Sequence, residues 1–420
     1  VEAAVTGIAR VEQTARGAIC GLALLLLGAW PARAQQRSEA TVPRISRAAA
    51  EAIAQRVLRT HPIIDGHADL YRYYLNCAQC PRDLGDYPLD RETPGTIDLP
   101  KWRRGGVGGQ LYNVYGKDRE VVNLLGAFDL MHRMAERYPN DIRIVGSAEE
   151  LDEAARTGRI GIVPMFEGAV LLQNDPALLR TYHRLGLRAV TLAYRTNDLA
   201  DGSDDVPRHG GISPLGRAMI SEMNRIGVIV DLSHVSPDAM RAALAASTAP
   251  VIFSHSNAYA LCKVGRNVPD DVLRALRANG GVIMINFVPY HISQRHADWL
   301  TAIEAAWRGR LAQSPDTAAA DRYLETEWRV AHPEPRVTIG EVADHIDYVK
   351  RLIGVEHVGL GADFGNDAEF IIPDLADAGR YPALLAELAM RGWTEAELGQ
   401  LTRGNFLRVF RAVGARAGTR

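Results

Sequence analysis

The chain has 420 residues, 47% of them hydrophobic and 23% charged, with a formal net charge of -2. That length suffices for one large domain or two ordinary ones, and the composition is that of a soluble globular protein. A balance so near neutrality, with no long run of like charge, excludes the basic face that nucleic-acid binding needs.

Arg10 and Arg16 precede an apolar stretch from Ala18 to Trp30, and Ala32-Arg33-Ala34 follows as a small-residue cleavage site. Basic flank, short apolar core and A-x-A site are the order of a secretory signal peptide, and the core is too short for a membrane span. The expectation is a signal peptide over residues 1–34, a single domain over 35–420, and export to the periplasm or beyond. Cys20 lacks the small residue before it that a lipoprotein signal carries, and the end from Arg411 to Arg420 is polar, so no membrane anchor is expected. Cys77 and Cys80 form one C-x-x-C in a polar loop; without a second pair it is a poor zinc site, and an exported location permits a disulfide. Cys262 reads as a buried small hydrophobe.

Helical periodicity runs from Arg47 to Leu58. Short apolar runs then alternate with helical segments: His61 to Gly66, Val107 to Tyr115, Ile160 to Phe166, Ala189 to Tyr194, Val228 to Leu232, Val251 to Phe253, Val282 to Phe287 and His357 to Gly361. Amphipathic stretches lie between them, including Val121 to Tyr138, Pro214 to Ile226, Pro237 to Ala246, Pro269 to Asn279 and Ile339 to Ile353. Several runs are continuously apolar, as strands buried on both faces are. Eight strands, each followed by a helix-sized segment, predict an α/β fold of the (β/α)8 TIM-barrel class. An open doubly wound sheet is the alternative, but no GxGxxG follows the first strand, which removes its dinucleotide-binding version. Tyr290 to Val337 is too long for a minimal loop and predicts a helical insertion after strand seven, able to cover the barrel mouth. Thr394 to Val413 predicts a C-terminal helix packed on the outside.

In such a barrel, functional groups sit where strands run out at the carboxyl end. Strand one ends in His67-Ala68-Asp69, strand three in Glu167-Gly168, strand five in Asp231-Leu232-Ser233-His234, strand six in Ser254-His255-Ser256, and strand eight in Asp363-Phe364. Residues i and i+2 of an extended chain point the same way, so His67 and Asp69 leave strand one as a nitrogen and an oxygen aimed at one point. Singly, each group has an ordinary structural role open to it. Together they are ligand types for a first-row metal such as zinc, too many for one tetrahedral ion but suited to two ions sharing a carboxylate. This constellation points to a binuclear metallohydrolase.

The stretches Asp65-Gly66-His67-Ala68-Asp69-Leu70, Asp98-Leu99-Pro100, Gly105 through Gln110, Glu167-Gly168, Val230 through Ser236, Pro250 through Ser256, Arg266 through Asp271 and Gly359 through Phe364 resemble, in this order, the membrane (renal) dipeptidase family of the amidohydrolase superfamily. The resemblance covers residues 61 to 364. It implies a zinc-dependent metallo-dipeptidase with two zinc ions, His67 and Asp69 on the more buried one, His234 and His255 on the other, and Glu167 bridging both. It implies a hydroxide shared by the two metals, with Asp363 shuttling its proton to the leaving amine and Arg266 gripping the free C-terminal carboxylate of a dipeptide. A small-molecule substrate and a homodimer are also implied. The alternative is another amide hydrolysis on the same metals, of N-acyl amino acids or β-lactams. A binding protein on an inactive scaffold is disfavoured because all six metal-site residues are present. Two positions depart from the pattern. Where the family presents Leu-Thr-His after strand four, this chain has Leu192-Ala193-Tyr194, so Tyr194 is the candidate oxyanion donor. Where the family has Asp-Phe-Asp-Gly, this chain reads Asp363-Phe364-Gly365-Asn366.

Overall fold

The apolar runs become strands β1 (Ile63–Ala68), β2 (Val107–Val114), β3 (Ile142–Ile144), β4 (Ile160–Phe166), β5 (Ala189–Thr191), β6 (Ile229–Asp231), β7 (Ile252–Phe253), β8 (Val282–Ile285) and β9 (Val358–Leu360). The structure, a computed structural model, describes residues 45–75, 83–114, 121–365 and 371–417. The proposed signal peptide, Cys77, Cys80 and Asn366 lie outside the described residues.

All strand pairs are parallel, in the order β2-β1-β9-β8-β7-β6-β5-β4, and β2 pairs back onto β4. Eight strands therefore close into the expected barrel. The ninth, β3, was not anticipated: Ile-Arg-Ile is too short to stand out as an apolar run. It pairs with the first residues of β4, Ile142 opposite Ile160 and Ile144 opposite Ile162, while β5 takes over beside Met165 and Phe166. Predicted strand four reached Tyr194, but β5 stops at Thr191. Past it, the Asn197 amide donates to the Leu192 carbonyl at 2.9 Å and turns the chain out of the sheet.

Alternation along the strands sorts the barrel interior into layers. An apolar layer holds Leu111, Val163, Met165, Ala189, Ile229, Ile252, Val282 and Met284. Continuing the same alternation toward the carboxyl ends places Asn113, Glu167, Thr191, Asp231 and Ser254 above it, all buried. The amino-terminal end is closed by the C-terminal helix Asn405–Arg416, whose Phe406, Val409, Phe410 and Val413 join the apolar interior cluster. It continues the helix Glu395–Gly399 through a π-helical turn, Gln400–Gly404.

Helices Pro289–Ile292, Gln294–Gln313 and Thr317–Tyr323 fill the segment between β8 and the helix Ile339–Ile353, with a small apolar cluster of Trp299, Ile303, Leu324 and Trp328. His345 ties this segment to the barrel: one ring nitrogen accepts from the Ala258 N–H at 3.1 Å and the other donates to the Ile292 carbonyl at 3.0 Å. No helix among the described residues is long and apolar enough to cross a membrane.

Burial holds the His345 pKa down at about 4, against an ordinary value of 6.5. Its folded pKa is depressed, so its contribution to stability is whole above pH 6.5 and is lost as pH falls toward 4. Between pH 7 and pH 5 the loss from this group is about 2 kcal/mol. Urea unfolding at both pH values should show the native chain losing about 2 kcal/mol more than His345→Gln between pH 7 and pH 5; equal pH slopes would contradict it.

Candidate metal centre at the carboxyl ends of the strands

Two buried aspartates shape the strand ends before any ligand is considered. Asp65 on β1 accepts from the backbone N–H of His67 at 2.9 Å and of Ala362, just past β9, at 3.1 Å, and from the Tyr381 hydroxyl. Asp231 on β6 accepts from Ser233 N–H at 3.2 Å, Ser254 N–H at 2.8 Å, the Ser254 hydroxyl at 2.7 Å and the Thr191 hydroxyl at 2.6 Å, joining the ends of β5, β6 and β7. Each replaces ladder hydrogen bonds that the strands give up as they diverge, which buried backbone groups require. Asp65 and Asp231 are thus stitches rather than ligands.

Beyond the stitches, the chain adopts costly conformations. His234 and Asp363 both have positive φ, 68° and 66°. A left-handed conformation at a non-glycine residue costs on the order of 1–3 kcal/mol and persists where the surroundings impose it, often at functional sites. Here it turns both side chains over the barrel mouth. The turn after Asp363 is zipped to β1: Asp363 N–H donates to the His67 carbonyl at 3.2 Å, and Asp69 N–H to the Phe364 carbonyl at 2.7 Å. Gly365 follows with φ 108°, and a Cβ there would lie 2.6 Å from Asp69 Cβ. On this backbone a side chain at 365 would push against Asp69.

The predicted residues come together. Oε1 of Glu167 is the focus of three imidazoles, with Nε2 of His234 at 2.8 Å, of His255 at 3.4 Å and of His67 at 3.7 Å. Nε2 of His67 also lies 3.6 Å from Asp69 Oδ1 and 3.8 Å from Asp363 Oδ1. Among the described residues two groups could hold an ion, His67 with Glu167 and His255, and His67 with Asp69 and Asp363; within each, the ligand atoms lie within 4.8 Å of one another.

The protonation pattern suits a cation. Burial, then the charges of Arg266 and His67, hold the His234 pKa well below its ordinary value; for His255 the order is burial, His67, Arg266. Two such neutral rings nevertheless place their Nε2 atoms 2.8 Å apart. The Ser254 hydroxyl donates to Asp231 and so can accept from Nδ1–H of His255 at 2.8 Å, which leaves Nε2 of His255 a bare lone pair. In the metal-free chain that lone pair can accept from Nε2–H of His234, and the two nitrogens with the Glu167 carboxylate beside them are ligand types for a metal ion. Burial also lowers the His67 pKa, but the carboxylates of Glu167, Asp69 and Asp363 outweigh it and lift the value to about 10. Asp363 is raised to about 7, first by burial and against the charge of His67, with Asp69 and Glu167 adding to the rise.

Tyr194 is half-buried past the end of β5, its ring centroid 4.6 Å from that of His234. Arg266 is buried, Nη1 donating to Ser256 Oγ at 2.6 Å and Nη2 to the His255 carbonyl at 2.8 Å. The sequence reading missed Asn113, whose Nδ2 contacts Asp69, Glu167 and His67. Its signal was its place on β2, in alternation with Leu111 of the interior. A cavity of about 590 Å³ lined by His132, Glu150, Arg184 and Arg188, near the amino-terminal ends of the strands, contains none of these groups.

A sequence model of the membrane dipeptidase family (peptidase family M19) matches residues 51–419. The chain is 34% identical over 370 residues to dipeptidase aclJ of Aspergillus oryzae, covering 84% of this chain and 79% of that one. It is 33% identical over 371 residues to dipeptidase 3 of Rattus norvegicus, covering 86% and 67%. Its fold matches the crystal structure of the probable dipeptidase PvdM from Pseudomonas aeruginosa with a TM-score of 0.75 at 26% identity, over 88% of this chain and 100% of that one.

Removing the Ser254 hydroxyl would free His255 to rotate and change tautomer. Ser254→Ala is expected to weaken metal binding about 10–100-fold, as loss of such supporting hydrogen bonds does, measured by competition with a chromophoric chelator. Unchanged affinity would remove the tautomer argument.

Proposed function

We propose, from the premise that this chain belongs to the membrane dipeptidase family and is a metallo-dipeptidase, that it hydrolyses dipeptides with a free C-terminal carboxylate on a site for two zinc ions. The observation that carries the reading is the convergence of three imidazole nitrogens on Oε1 of Glu167. In this reading His67 and Asp69 hold the first ion, His234 and His255 the second, and Glu167 spans both. When bound, the metals would polarise the scissile carbonyl and make a water between them nucleophilic at neutral pH.

The side chains then divide the remaining work. Asp363 takes the proton of the attacking water and returns it to the leaving amine, a role open to a carboxylate that lies beside the ligand cluster, 3.8 Å from His67 Nε2. Arg266 grips the substrate carboxylate. Its bonds to Ser256 and His255 engage one N–H on each terminal nitrogen, and each keeps a second for a bidentate pair. Tyr194 donates to the developing oxyanion as a neutral phenol, where a histidine could carry charge. The Arg10 to Ala34 segment supports export.

A panel of L-Xaa-L-Xaa, L-Xaa-D-Xaa and N-acetyl amino acids, run with zinc, tests the substrate class: turnover of only the acylated compounds would sink the dipeptidase reading. Tyr194→Phe should lower kcat about 10²–10³-fold with little change in KM; an unaltered kcat would remove it from the oxyanion site. Arg266→Ala should raise KM for dipeptides sharply and for their C-terminal amides little. Equal losses on both would assign Arg266 to holding His255 instead.

A further inference from the structure

Asn113 is fully buried on β2, and its side-chain nitrogen lies 2.6 Å from Asp69 Oδ1, 2.7 Å from Glu167 Oε2 and 3.3 Å from His67 Nε2. These residues are the ones assigned above to the first ion. An amide nitrogen offers two N–H groups, and here it donates to both carboxylates, much as a small cation would sit between them. An ion held by the same atoms at about 2.0–2.2 Å would need the ground that this nitrogen occupies. Both cannot be there together.

The other end of the amide fits the same picture. Oδ1 of Asn113 is buried and has no hydrogen-bond partner among the described residues. A buried amide placed only for packing would ordinarily satisfy its oxygen, so withdrawal of this side chain breaks bonds at the nitrogen alone. Asn113 Nδ2 meets Asp69, Glu167 Oε2 and His67, whereas His234 and His255 face Oε1 of Glu167, as His67 also does. The amide therefore stands among the residues of the first ion and makes none of these contacts with His234 or His255.

We infer that Asn113 is an internal competitor for the first ion, so that the His67–Asp69–Glu167 site is the weaker of the two and fills after the His234–His255–Glu167 site. The inference rests on the two-ion reading. It makes the loading of the active site a two-stage event, with the amide displaced in the second stage, and full activity dependent on the free zinc concentration over the range of the weaker step.

The test is a zinc titration of the full metal-stripped chain at neutral pH against a chromophoric chelator, for the native protein, Asn113→Ala and Asn113→Ser. Two unequal steps are expected in the native protein. The weaker step should tighten about ten-fold or more in the variants, since two charge-assisted hydrogen bonds no longer oppose it, while the tighter step stays within about two-fold and reports that each variant is folded. A weaker step that is unchanged or looser in the variant retaining the tighter step would overturn the inference and leave two-ion binding standing. A single ion in the native protein and in both variants would overturn the two-ion reading, and this inference with it.

Discussion

Asp65 and Asp231 sit where β1 and β6 leave the barrel, each carboxylate accepting from an N–H of its own strand end and from one of a neighbouring strand end. Parallel strands diverge at the mouth, and their last backbone donors would otherwise be buried without partners. The two stitches meet that need and, in doing so, set the direction in which His67, His234 and His255 depart. Close packing adds to the constraint: a Cβ on Gly66 or Gly361 would lie 2.3 or 1.9 Å from the Ser254 carbonyl oxygen, so these strand ends approach as only glycine allows. These histidines are aimed by backbone that has little freedom to move.

Charge at the mouth follows from that geometry. Buried Asp69 and Glu167 and half-buried Asp363 are brought beside His67, with His234 and His255 held neutral. Carboxylates concentrated away from water are costly unless compensated. His67 answers part of this by holding a proton more tightly than usual, and Arg266 stands nearby. A cation bound among these groups would relieve the same imbalance. The positive φ of His234 and Asp363 accompanies this charge: both side chains turn over the barrel mouth from strained backbone.

Much of this was legible in the sequence because strands buried on both faces read as apolar runs, and their ends are where His and carboxylate stand out. His67, Asp69, Glu167, His234, His255 and Asp363 all lay at such ends, and all converge. What was not legible depended on contacts distant in sequence. Strand β3 is three residues long and owes its place to β4. Asn113 looks like any polar residue inside an apolar run until Asp69 and Glu167 are placed against it. Asp231 read as one more carboxylate among the candidates; only its four hydrogen bonds reveal a stitch. The glycine at 365 looked like a lost acid, and its close approach to Asp69, nearly three hundred positions earlier, could not be read from the sequence.

The central claim is that Glu167 spans two metal ions. Anomalous diffraction at the zinc edge, on crystals equilibrated with excess zinc, tests it most directly. The account predicts two peaks about 3.5–4 Å apart, one beside His67 and Asp69 and one beside His234 and His255, with the Glu167 carboxylate between them. A single peak, or two peaks that do not share Glu167, would contradict it.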